Sequence, residues 1–355
     1  MSKMIQHKRA VQNRLLKWFD QRERDLPWLR PKTPYRVWVS EIMLQQTQIK
    51  TVIGYFDRFM MRFPTVGTLA AAEIDEVLKF WEGLGYYRRA RQLHKASQVV
   101  VDQHDGKFPE QFDDVLALPG VGRYTAAAIL SIACDQSHAI LEGNTIRLFA
   151  RWMALDSDTT QSANQKLLWQ FSESMVSRRR SGDFNQALMD FGREICKPKN
   201  PHCDACPVAN FCPTFVKGLQ DQIPFRKKKF DYEDLHEAIV LVERKRKVLV
   251  RKCVDGERWA GLWDFPRTSL DSGSSPQTIA KTIFELTGLR TNVTELGKTI
   301  KHGVTKYRIK LDCYKSNNAF GRLKPSSNYC WKSPVEIKSL ALSATGRKFA
   351  DLFID

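Results

Sequence analysis

Cys196, Cys203, Cys206 and Cys212 follow one another as C-x6-C-x2-C-x5-C, and four thiols so close in the chain belong to one loop closed around a metal group. Soft thiolate donors in fours suit an iron-sulfur cluster or a structural zinc, and the donor chemistry accepts both. The remaining Cys134, Cys253, Cys313 and Cys330 are dispersed and read as core or half-exposed thiols. Eight cysteines in 355 residues are too few for a disulfide scaffold. The pattern is that of a metal site in a reducing compartment. Arg193, Lys197 and Lys199 make the same stretch basic, so it can present phosphate contacts while the metal stiffens it.

The basic bias extends to the whole chain. Lys and Arg number 56 against 39 Asp and Glu, a formal net charge of +17. A polyanion is the first partner to expect, nucleic acid ahead of an anionic membrane surface. With 43% hydrophobic and 11% aromatic residues there is material for packed cores, which excludes a largely disordered protein. The length suits two or three domains. No apolar run is long enough to span a bilayer, and the start MSKMIQHKRAVQNRLLKWFD is amphipathic without a cleavage site, so a soluble, non-exported chain is expected.

Helical periodicity dominates from residue 5 to about 215. Thr33-Pro34 is an N-cap followed by proline at the first helical position, and Leu69, Ile74, Val77, Leu78 and Trp81 recur at helical spacing, predicting a helix over 70–81 that stops at Gly83. This half reads as an all-helical bundle. Lys217 to Phe230, with Gly218, Pro224 and the run Arg226-Lys227-Lys228-Lys229, reads as a linker. Beyond it, Ala238 to Val242 and Lys247 to Arg251 look like paired strands. Gln277 to Thr287 has helical spacing before Gly288, and Tyr307 to Cys313 alternates like a strand. The second half is therefore an α+β domain.

Leu118-Pro119-Gly120-Val121-Gly122-Arg123-Tyr124 is a tight turn leading into an apolar helix. Gly120 and Gly122 allow close backbone approach, and the amides at the next helix's N-terminus can receive a DNA phosphate. Together with the cysteine loop, this hairpin resembles the helix-hairpin-helix glycosylase superfamily, and the loop spacing resembles the [4Fe-4S] loop of the endonuclease III and MutY families. Leu26-Pro27-Trp28, Pro34 to Gln48, Gly83-Leu84-Gly85-Tyr86-Tyr87-Arg88 and Phe184-Asn185-Gln186-Ala187 narrow the likeness to the adenine glycosylases of the MutY family. It spans nearly all of residues 8 to 215. Gly261 to Pro266 matches that family's C-terminal domain, which resembles the Nudix fold.

The resemblance implies a mainly α helix-hairpin-helix glycosylase domain at 1–216 with an iron-sulfur loop at 196–212, a linker at 217–235, and an α+β Nudix-like DNA-reading domain at 236–355. It implies a monofunctional enzyme that removes adenine mispaired with 8-oxoguanine or guanine. The partner is mispair-containing duplex DNA, with a monomeric, cytoplasmic, nucleoid-associated protein and no membrane role expected. The same class with altered base specificity, or a catalytically impaired mismatch binder, are the rival readings.

Releasing adenine requires protonating the base and stabilising an oxocarbenium-like sugar, so one acid and one carboxylate are the minimum. Glu41 sits among Val39, Ile42, Met43 and Leu44, where desolvation favours its protonated form, and by resemblance it is the catalytic acid. The family's second motif ends Asp-Gly-Asn, whereas this chain reads Glu142-Gly143-Asn144. The family's Asp stabilises the cation; Glu142 keeps the charge one methylene further out, and Asn144 is available to orient the carboxylates. Tyr124 stands where bifunctional relatives carry a Schiff-base lysine, so no nucleophilic amine is supplied and efficient strand cleavage is not expected. Gln46 and Tyr86 match the family's duplex-wedging residues.

Two further departures lie downstream. The family reads 8-oxoguanine with a Phe-Ser-His loop after an upstream His; aligning His302 with that His puts Val304-Thr305-Lys306 in its place. Thr305 keeps a hydroxyl and Lys306 can reach a phosphate or purine acceptor. A working Nudix box would need an Arg-Glu pair at 281 and 282 and a Glu pair at 285 and 286, where this chain has Lys281, Thr282, Glu285 and Leu286. One carboxylate cannot build that magnesium site, so the domain reads as a DNA-binding module.

Overall fold

A computed structural model describes residues 3–225, 231–304, 306–325 and 328–354. The chain divides into two compact units, Met1–Ala71 with Arg91–Lys228, and Ala72–Ala90 with Lys229–Asp355. Among the described residues, no helix is long and apolar enough to cross a membrane.

The helices run in chain order as α1 (Lys3–Gln6), α2 (Lys8–Asp20), α3 (Pro34–Leu44), α4 (Ile49–Arg62), α5 (Val66–Ala70), α6 (Ile74–Trp81), α7 (Arg88–Gln103), α8 (Phe112–Ala117), α9 (Arg123–Cys134), α10 (Gly143–Met153), α11 (Ser162–Met175), α12 (Ser181–Glu194) and α13 (Pro213–Val216). The helix expected over 70–81 is in fact split. Glu73 is extended at the start of α6, so Leu69 belongs to α5 and the apolar repeat bridges a break.

α3 begins as its sequence dictates, with the Thr33 hydroxyl accepting from the Arg36 amide and Pro34 at the first position. Tyr35 and every residue from Val37 to Met43 are buried, so α3 is a central helix rather than an amphipathic surface one. It packs on α9, itself buried from Thr125 to Ile132, and α9 packs on α12. Small residues set this spacing: a Cβ on Gly192 of α12 would lie 2.8 Å from the Cβ of Asn144 on α10, so only glycine lets the two helices approach there. Leu148, Phe149, Trp152, Phe184, Leu188 and Phe191 form the core between α10, α11 and α12, and the cysteine loop packs against it.

The second unit contains β1 (Glu233–Leu241), β2 (Glu243–Arg244), β3 (Lys247–Lys252), β4 (Trp263–Asp264), β5 (Arg267–Ser269), α14 (Pro276–Thr287), β6 (Arg290–Val304), β7 (Tyr307–Phe320), β8 (Tyr329–Lys332), α15 (Pro334–Ser339) and α16 (Ala344–Phe353). One sheet has the order β5-β1-β7-β6, with β1 parallel to β7; the other joins β2, β3, β4 and β8. The two apolar runs expected to pair are both strands, but they belong to different sheets. β3 pairs with β2, β4 and β8, while β1 pairs with β5 and β7. Over 238–241, β1 is buried on both faces. Ala238 and Val240 meet Ile279 and Ile283 of α14, and Ile239 and Leu241 share a core with Phe349 of α16. α14 starts at the Ser275 cap and stops at Gly288, whose φ of +81° supplies the left-handed residue a helix end favours.

Candidate functional site

Glu41, Tyr124, Glu142 and Asn144 line one cavity of about 690 Å³ in the first unit. Glu41 projects from α3, Tyr124 from the first turn of α9, and Glu142 and Asn144 from the start of α10. The Glu41 side chain is buried, on a helix buried throughout from Val37 to Met43. Desolvation raises its carboxyl to about 7, helped by the nearby charge of Glu142 and opposed by a hydrogen bond from Tyr124. That bond runs from Tyr124 Oη to Glu41 Oε2 at 2.8 Å, and the same hydroxyl lies 3.2 Å from Met189 Sδ. Burial and both carboxylates hold the Tyr124 phenol well above its ordinary range, so it stays a neutral donor.

Glu142 is the N-cap of α10. Its Oε1 accepts from the Thr145 amide at 3.0 Å, and its Oε2 accepts from the Asn144 amide at 2.9 Å and from Asn144 Nδ2 at 3.2 Å. The Thr145 hydroxyl answers by accepting from the Glu142 amide at 2.7 Å, completing a reciprocal cap. The longer side chain folds back onto its own helix in the capping role that a shorter Asp also fills. Burial raises the Glu142 carboxyl, while these donors and Arg147 work in the opposite direction.

Arg147 extends this network. Its Nη2 donates to Asn144 Oδ1 at 3.0 Å and to the Gly192 carbonyl, and its Nε donates to the Cys196 carbonyl at 2.8 Å. One turn on, Arg151 donates to Cys196 Sγ at 3.2 Å and to the carbonyls of Lys197, Gln220 and Ile223. Cys196, Cys203, Cys206 and Cys212 line a single cavity beneath Arg151. Four thiols around one apolar-walled space, with an arginine against one sulfur, fit an anionic four-thiolate iron-sulfur cluster.

Sequence reasoning missed the wall opposite Glu41. Arg24 Nη1 donates to Gln186 Oε1 at 2.8 Å, and Asp190 is held between Arg24 at 3.1 Å and Arg193 at 2.8 Å. Arg24, Trp28, Gln186, Met189 and Asp190 all line the cavity. Trp28 and Gln186 stood inside motif stretches that mark the family. Arg24 and Asp190 carried no local pattern.

Of the other expected residues in the same unit, Gly120, Gly122 and Gln46 are not among those lining this cavity. Gly120 has φ +78°, and a Cβ there would meet Gln92 at 2.6 Å, so the turn demands glycine. Gly122 caps α9 without a side-chain bond, and a Cβ there would meet open space, which leaves the helix amides accessible. Gln46 is exposed in the turn after α3 with φ +60°. Tyr86, in the second unit, has φ +50°, is 47% exposed and lies under the Arg89 guanidinium at 5.4 Å. Lys306 is exposed and paired with Glu233. Thr305 lies outside the described residues. His302 packs near Trp259, ring centroids 6.0 Å apart.

Residues 39–173 match the HhH-GPD superfamily of base excision DNA repair proteins, residues 196–212 the iron-sulfur binding domain of endonuclease III, and residues 237–352 the NUDIX domain. An adenine DNA glycosylase of Buchnera aphidicola from Schizaphis graminum is 38% identical over 253 residues, covering 71% of this chain and 73% of that protein. The human adenine DNA glycosylase is 41% identical over 223 residues, covering 60% of this chain and 41% of that protein. Among solved structures, a thermostable thymine-DNA glycosylase aligns with TM-score 0.54 at 28% identity, covering 60% of this chain and 98% of its own. An endonuclease III in complex with DNA aligns at 0.52 and 21%, covering 62% and 99%, which shows the shared fold. The buried acid, the four-cysteine loop and the length of the match with the Buchnera protein lead to one conclusion: the chain belongs to the adenine DNA glycosylase family, built as a helix-hairpin-helix glycosylase domain with a [4Fe-4S] loop and a Nudix domain.

Proposed function

We propose that this protein hydrolyses the N-glycosidic bond of adenine in duplex DNA, acting where adenine lies opposite 8-oxoguanine or guanine, and that it leaves the strand uncut. The observation that carries this reading is the Glu41 carboxyl, buried, raised to about 7 and lining a cavity of purine-accommodating size. Half of such a group is protonated near neutral pH, so it can donate to the purine as the bond breaks. Tyr124 holds one carboxyl oxygen and leaves the other for the base. Glu142, fixed by three donors, supplies the negative charge that stabilises the oxocarbenium-like sugar, with Asn144 orienting it. Arg24 and Gln186 offer a donor and an acceptor to a purine edge.

The cluster, when bound by Cys196, Cys203, Cys206 and Cys212, stiffens the loop on which Arg147 and Arg151 are anchored. Gly120, Gly122, Gln46 and Tyr86 are assigned to the duplex, the first two to a phosphate and the last two to the stack beside the extruded nucleotide. Thr305 and Lys306 are assigned to the strand opposite the target. We take 1–216 as the glycosylase domain, 217–235 as the linker and 236–355 as the reader of a monomeric, nucleoid-associated enzyme. Single-turnover reactions on duplexes with A opposite G, 8-oxoguanine, C and T, developed with and without alkali, test the reading. Alkali-dependent scission at A opposite G or 8-oxoguanine is expected. Absence of adenine release from every duplex overturns it in favour of a mismatch-binding protein.

A further inference from the structure

The β5-β1-β7-β6 sheet offers a second surface in the reader unit. Alternation puts His236, Lys310 and Lys301 in one row across β1, β7 and β6, with Asp234, Arg308 and Gly303 in the next row on the same face. That face is the one on which α14 sits, through Ala238, Val240 and Tyr314, but α14 covers only its far end. The uncovered end is a groove of about 590 Å³.

Its chemistry is one-sided. Asp312 is already engaged by His236, by Lys310 at 3.4 Å and by the Thr299 hydroxyl at 2.6 Å, which leaves Asp234 as the facing acid. Lys301 has no ion-pair partner among the described residues, and Arg308 is steadied over the Tyr232 ring at 4.4 Å. Gly303 adds no side chain, and a Cβ there would meet nothing within 4 Å, so the floor is open backbone. Its lining holds no Phe, Tyr or Trp, its rings being the imidazoles of His236 and His302, and its three cations suit a phosphate backbone. α14 presents a single carboxylate here, Glu285, exposed and 4.0 Å from Lys281, so metal-assisted pyrophosphate chemistry has no ligand set.

We propose that this end of the sheet is a track for the phosphodiester backbone of duplex DNA, with Lys301, Arg308 and Lys310 as its contacts. The proposal rests on the reading of the chain as a duplex-binding enzyme and adds a site remote in sequence from the hairpin glycines and the cysteine loop. The test uses the full chain with its cluster, fluorescence anisotropy on a mispaired duplex across a KCl series, and a Lys301→Ala/Lys310→Ala double variant beside a Lys338→Ala control. Two lost phosphate contacts lower the slope of log K against log salt by roughly 1.8 and leave the control unchanged. The Lys338→Ala control also keeps single-turnover excision within about twofold of the wild type.

Asp234→Asn supplies the opposite sign. Removing the acid should tighten duplex binding by roughly two- to threefold, a gain that misfolding cannot mimic. Wild-type slope in the double variant together with no tightening in Asp234→Asn overturns the proposal. So does saturable binding of a deoxynucleoside triphosphate that the double variant abolishes while its duplex slope is unchanged, since that would assign the groove to a free nucleotide. A wild type that binds no duplex sinks the parent reading instead, and the two failures are distinguishable.

Discussion

At the residue scale, Glu41 shows a conflict between stability and function. A carboxyl raised to about 7 is half neutral where the reaction needs an acid, and the same burial penalises its ionised form. Below the ordinary carboxyl range both folded and unfolded states are protonated, so nothing is lost. Between about 4.5 and 7 the unfolded chain ionises while the folded one holds its proton, so the penalty grows with pH and is constant above 7. Glu41→Gln should therefore abolish base release and leave duplex binding intact. It should also raise thermal stability at pH 8 by up to roughly 3 kcal/mol less the altered Tyr124 bond, but not at pH 4. A variant keeping more than about a tenth of the rate removes Glu41 from the mechanism. The pH profile of single-turnover excision should fall through about 7 on its alkaline side. Tyr124→Phe removes the bond that favours the carboxylate, so that limb should move to higher pH; a limb that stays in place separates Tyr124 from the acid.

At the element scale, α10 is the piece on which the site depends. Its first turn carries Glu142 and Asn144, its second Arg147, and its third Arg151, and the two arginines grip the loop that begins at Cys196. A helix held at its side by buried, charge-assisted bonds keeps its N-terminus in place, and with it the Glu142 carboxylate. Arg147→Met keeps the volume and removes the donors. We expect a rate loss of at least tenfold together with faster bleaching of cluster absorbance near 400 nm on air exposure, roughly the region of thiolate-to-iron transitions. Unchanged rate and unchanged bleaching would show that α10 stands without the loop. The close pass at Gly192 belongs to the same element, since α12 and α10 meet there against Asn144.

At the scale of the whole molecule, the residues proposed for the chemistry and those proposed to read the opposite strand belong to different units. Lys306 is exposed and paired with Glu233, and neither the aromatic nor the imidazole of the family loop is available at 304–306. The preference for 8-oxoguanine over guanine should thus be less than roughly tenfold in affinity, about 1.4 kcal/mol. Lys306→Ala should weaken binding to all duplexes alike, as loss of a phosphate contact does. A strong 8-oxoguanine preference that Lys306→Ala selectively removes would assign the recognition role to the lysine.

Sequence alone determined whatever depends on identity and spacing. The four thiols at 196–212 specify a metal loop wherever they fold, the Thr33-Pro34 start and the Gly120 turn are local backbone demands, and an acid inside a largely apolar run is desolvated in any packing that buries the run. Long-range packing decided the rest. That Arg147 reaches Cys196 and that Arg24 meets Gln186 and Asp190 are contacts between residues scores of positions apart, which no periodicity encodes, whereas the Glu142 cap is local, made to Asn144 and Thr145. β1 and β3 failed to pair for the same reason. Two neighbouring apolar runs satisfy the strand pattern equally in one sheet or in two, and only the partners β5, β7 and β8, competing for the same backbone hydrogen bonds, sent them apart.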